Sequence, residues 1–330
     1  MIRLFQRNMV VQVLLIVVAL ALLWLRPLLT PSVMEAGDHP AVLYGLLQTW
    51  LSGSARLAVV IAMVLVLAEG VVLNVLLANV NLVSQNSLLP SLVFIIAASA
   101  GTATLTPTIL VGALAIASLG QLVLHGTALT IPPGKICSAT ALIGIATMFY
   151  QPAALLLLTY LLVAVNYRLY RWNDWLLMLL GFAAPYLVLV MVLYMTDGIA
   201  PWWQQTLASL GDILPASPTA PKLSTVPSLL IAAVFLWSLV TIASHLTEHP
   251  VLWQKNASTV LLFTVGSIGI MLYLPLLPLP VALLAVPFTF TVTHLLSAGT
   301  ARPTGFGRRR HYAWLYDITL VLILVAAILC

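Results

Sequence analysis

Charge is what this chain has least of. Asp, Glu, Lys and Arg together make up 6% of its 330 residues, against about a quarter in an ordinary soluble domain. With a mean hydropathy of +1.12, so little charge excludes a water-soluble fold. Cysteine is almost as scarce: Cys137 and Cys330 are the two present, which excludes a disulfide framework. Catalytic signatures of soluble enzymes are missing too. Gly305-Phe306-Gly307 is no nucleotide loop, and His245-Leu-Thr-Glu-His249 lacks the order of a zinc protease. Neither stretch specifies a metal or a cofactor. The excess of basic residues, 13 against 8 acidic, sits where the positive-inside rule puts it and does not indicate nucleic-acid binding.

What is present is a series of apolar runs of roughly 15 to 25 residues. They fall near 10–26, 57–78, 88–102, 106–124, 137–150, 152–167, 174–196, 227–245, 258–274, 280–297 and 314–330. The expected fold is an all-α polytopic transmembrane helix bundle of about eleven spans, forming a single integral membrane domain over 1–330. The count falls to nine if 137–150 and 152–167, split only by Gln151 and Pro152, form a re-entrant hairpin. Arg26 and Pro27 follow the first run where a signal peptide would carry a small-residue cleavage site, so that run reads as a retained helix. Arg3, Arg7, Lys135, Arg168, Arg171, Lys255, Arg302, Arg308, Arg309 and Arg310 all fall on one side of this layout, leaving Arg26, Arg56 and Lys222 on the other. That asymmetry predicts a cytoplasmic N-terminus and a periplasmic C-terminus in a bacterial inner membrane. Most tryptophans, including Trp24, Trp50, Trp172 and Trp253, are expected in the interfacial belt, whereas mid-span Trp237 is expected to pack against another helix.

Two external loops are long, 27–56 and 197–226. In the first, Val42, Leu43, Leu46, Leu47, Trp50 and Leu51 recur at helical spacing. In the second, Trp202, Trp203, Leu207, Leu210 and Leu214 do the same. Each predicts a short helix lying in the outer interface.

Four sets of residues could carry chemistry. Glu35 and Asp38, three apart in the first loop, would share one face of a helical turn, where paired carboxylates hold a divalent cation or work as a base and its neighbour. A solvated loop needs polar residues as well. Arg56, on the side the basic bias avoids, either pairs with a lipid phosphate or snorkels to headgroups. Glu69 lies in the second span, where a carboxylate costs roughly 2.5–3.5 kcal/mol. Asn74 and Asn81, seven residues apart, are expected on one helical face near it, as interhelical glue or as the lining of a polar path. Trp202 and Trp203 are candidate substrate contacts in the second loop.

Two resemblances add to these readings. Asn86-Ser-Leu-Leu-Pro90, the stretch Gly134 to Tyr150, and Arg171-Trp-Asn-Asp-Trp175 leading to Gly181 and Pro185-Tyr186 together resemble an uncharacterised multi-pass inner-membrane family of Bacteroidota. That likeness implies location and architecture. The layout of an acid in the first external loop and a second long external loop after the seventh span is similar to the polyprenyl-phosphate-sugar glycosyltransferases of the GT-C class. This implies a lipid-linked substrate, with Asp38 as base or metal contact, Glu35 as its partner and Arg56 on the phosphate. A transporter or lipid flippase built around Glu69, and a noncatalytic assembly subunit, are the alternatives.

Overall fold

In a computed structural model, the described residues are 9–31, 41–83, 87–100, 104–123, 131–169, 171–213, 226–273, 281–298, 319–321 and 324–325. All regular structure among them is helical. Three helices are long and apolar enough to cross a membrane: α1 (Met9–Leu29), α3 (Ala55–Asn79) and α8 (Trp172–Met195). The other helices are α2 (Val42–Leu51), α4 (Leu89–Ser99), α5 (Pro107–Leu122), α6 (Pro133–Phe149) and α7 (Leu156–Asn166). After α8 come α9 (Ile199–Ile213), α10 (Val226–His245), α11 (Val251–Tyr273) and α12 (Val281–Ala298). The chain is a helical membrane protein.

Two side-chain hydrogen bonds fix the polarity of the bundle. The Leu88 N–H at the start of α4 donates to Gln12 Oε1 near the start of α1 (2.8 Å), and the Trp24 indole N–H donates to Ser99 Oγ at the end of α4 (2.9 Å). α4 therefore runs parallel to α1, and every one of its residues is buried among α1, α3 and α12. Trp24, expected in the interfacial belt, is covered by protein. It is fully buried, because its N–H has a polar partner inside the bundle. α5 returns antiparallel, with a Cβ at Gly120 meeting Leu76 of α3 at 3.0 Å. Ser118 of α5 donates to the Ala139 carbonyl of α6 (2.7 Å), and Tyr160 of α7 donates to Ser118 (2.5 Å).

α6 and α8 run parallel and close, because each offers the other a glycine. A Cβ at Gly144 would stand 2.5 Å from the Phe182 carbonyl. One at Gly181 would meet the Cys137 carbonyl at 2.5 Å and also Thr140 Oγ1. Small residues let membrane helices approach until backbones touch. α7 and α11 are antiparallel, with Thr159 Oγ1 filling the space a side chain would need at Gly266. α10 lies parallel to α12, Ser238 donating to Thr291 (2.9 Å). α11 is antiparallel to α12, where Trp253 and His294 meet at 5.5 Å.

These pairings sort the chain ends. Lys135, Arg168, Arg171 and Lys255 belong to turns and helix ends at the Gln12 end of the bundle, whereas Arg26 and Arg56 belong to the Trp24 end. α2 follows α1 at the Trp24 end, where Tyr44 Oη donates to the Leu105 carbonyl (3.1 Å). α9 follows α8 at that same end.

Three helices close in the same way. Asn81, Arg168 and Asp197 all have positive φ (56°, 57° and 52°). In each case the next residue's N–H reaches back to the third-last helical carbonyl: Leu82 to Leu77 (3.0 Å), Leu169 to Ala164 (2.9 Å) and Gly198 to Leu193 (2.8 Å). This is the Schellman closure, here with polar residues in the left-handed position that glycine usually takes. Trp237, expected against another helix, is 48% exposed on α10.

Candidate functional site

The buried face of α3 runs through Ala62, Val66, Glu69, Gly70, Leu73, Asn74 and Leu77, a helical stripe into which a carboxylic acid has been set. Glu69 is 3% exposed, and neither carboxyl oxygen has a hydrogen-bond partner among the described residues. Beside it, Gly70 lets α4 approach: a Cβ there would sit 3.3 Å from Phe94, Ile95 and the Ser91 carbonyl, and Ser91 Oγ donates to the Gly70 carbonyl (3.0 Å).

Asn74 is 6% exposed and its Oδ1 likewise has no partner among the described residues. The two groups do not converge, since five residues of α-helix set Glu69 and Asn74 about 140° apart. Asn81 is not on this face at all. α3 ends at Asn79, and Asn81 is the exposed left-handed residue of its cap. The expectation of one polar face through Asn74 and Asn81 is corrected for that reason: the helix stops before the second asparagine, and closing it takes a residue that tolerates positive φ.

At the Trp24 end, Arg56 is exposed in the first turn of α3, after an α2 that buries Tyr44 and Leu51 and leaves Leu46 and Trp50 exposed. The helix expected in the second loop is α9. Trp202 and Trp203 stand in its first turns with ring centroids 6.2 Å apart, Trp203 being the more exposed. Glu35 and Asp38 lie outside the described residues.

Sequence reasoning missed a polar seam at the Gln12 end. Thr259 donates to Tyr167 Oη (2.8 Å), Tyr167 donates to Asn256 Oδ1 (3.4 Å), and Asn166 donates to Ser258 (2.9 Å). Lys255 Nζ lies over the Tyr167 ring at 5.9 Å. The available signal was Asn256 and Thr259 at i and i+3 opposite Asn166-Tyr167. His249 stacks on Trp253 with centroids 3.9 Å apart, which gives that histidine a packing role. Among the described residues no group of three His, Cys, Asp or Glu could hold a metal ion.

No protein-family model matches the chain, and no curated protein matches it. A solved structure does: the archaeal oligosaccharyltransferase AglB from Archaeoglobus fulgidus, in complex with an inhibitory peptide and a dolichol-phosphate. The likeness has a TM-score of 0.44 at 10% identity and covers 94% of this chain and 51% of that one. The chain thus spans about half the length of that enzyme. At this TM-score the likeness carries no argument about fold or activity.

Proposed function

We propose that the chain crosses a bacterial inner membrane about eleven times, N-terminus cytoplasmic and C-terminus periplasmic, and acts there on a lipid-linked substrate. Glycosyl transfer from a polyprenyl-phosphate carrier is the concrete reaction. The observation that supports this reading is the gathering of α2, Arg56 and α9 at the same end of the bundle, opposite Lys135, Arg168, Arg171 and Lys255. Both external loops of the layout thereby contribute an amphipathic helix to one face. Arg56 and Trp50 are both exposed at that end, the residue types expected where a phosphate meets the edge of a bilayer.

In this proposal Asp38, with Glu35 as its partner, takes the proton from an acceptor hydroxyl or holds a divalent cation at the phosphate. The acceptor oxygen bonds to the anomeric carbon, and the bond to the carrier phosphate breaks. Arg56 receives the charge that develops on that phosphate, and Trp202 and Trp203 border the substrate.

The test is lipid-linked intermediates measured by mass spectrometry in cells carrying Asp38→Asn or Glu35→Gln. Turnover is expected to fall about a hundredfold for Asp38→Asn, the scale of losing a general base, with expression unchanged because a loop carboxylate contributes little to folding. Arg56→Lys should hurt less than Arg56→Ala, since a point charge still attracts phosphate without the bidentate geometry. Wild-type lipid profiles in the Asp38→Asn and Glu35→Gln cells would sink the transfer reading.

A further inference from the structure

Glu69 is a buried titratable group that the transfer chemistry leaves unused. Both of its oxygens are sealed from the surroundings and have no hydrogen-bond partner among the described residues. Register shows what seals them. Glu69 lies seven residues before Leu76 on α3, within about 20° of the same line along the helix, and Leu76 is the side chain that meets Gly120 of α5. α3 and α5 pack together and both run from the Trp24 end toward the Gln12 end. The same step back along α5 therefore sets Ala113 at the level of Glu69. Toward this seam α5 presents Ala113, Ala117 and Gly120, which are half-exposed, exposed and half-exposed in turn. On α3 itself Ala68 and Val72, to the outer side of Glu69, are exposed as well. The carboxyl thus sits at the edge of the buried face, behind a stripe of small residues.

Its surroundings choose the ligand. Of the helices packed against α3, α2, α4 and α5 contain no Asp, Glu, Lys, Arg or His, and α1 contains only Arg26, exposed in its last turn. Arg56, on α3, stands about 20 Å further along the helix. An ionised carboxylate is not sustained in apolar surroundings without a counter-charge. A metal ion takes several oxygen ligands, and no group of three His, Cys, Asp or Glu that could hold one is assembled among the described residues. A proton needs one oxygen. We infer that Glu69 is a proton-binding site, and that the Ala113, Ala117 and Gly120 stripe of α5 is the movable cover through which its proton exchanges with water. Ionisable groups inside a membrane mark proton and ion routes, and a cover of Ala and Gly leaves few interlocked side chains to undo when two helices part. In the exchange the carboxylic O–H bond breaks, its electron pair stays on the oxygen, and the proton passes to a water molecule. The inference goes beyond the transfer reading and needs neither Asp38 nor Arg56.

The test is infrared spectroscopy of the full-length protein in lipid nanodiscs, in H2O and then in D2O, with Glu69→Gln as the reference. Wild type should show a protonated-carboxyl C=O band that Glu69→Gln lacks, and the band should shift once D2O replaces H2O. Leu76→Cys paired with Gly120→Cys, in a chain carrying Cys137→Ala and Cys330→Ala, allows α3 and α5 to be joined by oxidation. Joining them should slow the shift several-fold, and reduction should restore its rate. Identical carboxyl bands in wild type and Glu69→Gln would mean that no proton is held there and would overturn the inference. A band that never shifts in D2O would show a permanently sealed, structural acid, and an unchanged rate in the cross-linked chain would show that α5 is not the cover. Neither measurement depends on the lipid profiles of Asp38→Asn cells, so this inference and the transfer reading fail separately.

Discussion

α4 and α8 are both apolar helices, and nothing in their composition foretells how differently they are placed. The eleven residues of α4 are all buried, whereas α8, with 24, buries two. In water such a contrast would separate a core helix from an error. In a bilayer, lipid tails are as apolar as leucine, so hydrophobicity reports insertion and not protein contact. Contact is written in smaller signs. α4 carries Ser91 and Ser99, each bonded to a neighbouring helix, and α8 carries Gly181 where α6 comes closest.

Substitutions at four positions sharpen or break that contrast, each read as thermal or denaturant stability of the purified protein in detergent. The largest effect belongs to Phe94→Ala in α4, whose ring is fully buried and whose loss should cost about 3–5 kcal/mol. Glu69→Lys comes next. A fixed cation on the buried face of α3 should cost roughly 2.5–3.5 kcal/mol, whereas Glu69→Gln should fold normally. If Gln folds normally but abolishes activity while Asp retains it, the carboxyl acts in ion or proton coupling, and transport replaces transfer. Gly181→Ala should cost about 1–3 kcal/mol by driving a methyl into Cys137 and Thr140. Loss of a 147–186 cysteine cross-link would show which contact gave way. The smallest change is expected from Val188→Ala on the open part of α8, within about 0.5 kcal/mol. A destabilisation there as large as that of Phe94→Ala would mean that protein covers this segment.

The helices themselves were legible, because runs of apolar residues long enough to span are rare by chance. Ten of the eleven expected apolar runs coincide with α1, α3–α8 and α10–α12, three of them long and apolar enough to cross a membrane, and the last run, 314–330, lies largely outside the described residues. The grouping of basic residues was legible too: Lys135, Arg168, Arg171 and Lys255 mark turns and helix ends, and these share one end of the bundle. The site was less so. Asn74 and Asn81 share a face only if the helix continues, and a seven-residue spacing does not announce a cap between them. The burial of Trp24 was not legible, because its partner, Ser99, is 75 positions away. Gly144 and Gly181 likewise stand out only once α6 and α8 lie side by side.

The paired bonds between α1 and α4 bear on how the chain is made. Gln12 and Trp24 are synthesised long before Leu88 and Ser99, so these two bonds between α1 and α4 form only once α4 has been made. Their separation of twelve residues, about 18 Å along α1, then acts as a vernier. A slip of one residue shifts α4 by about 1.5 Å and strains both bonds at once, so the pair together selects a single register of α4 against α1.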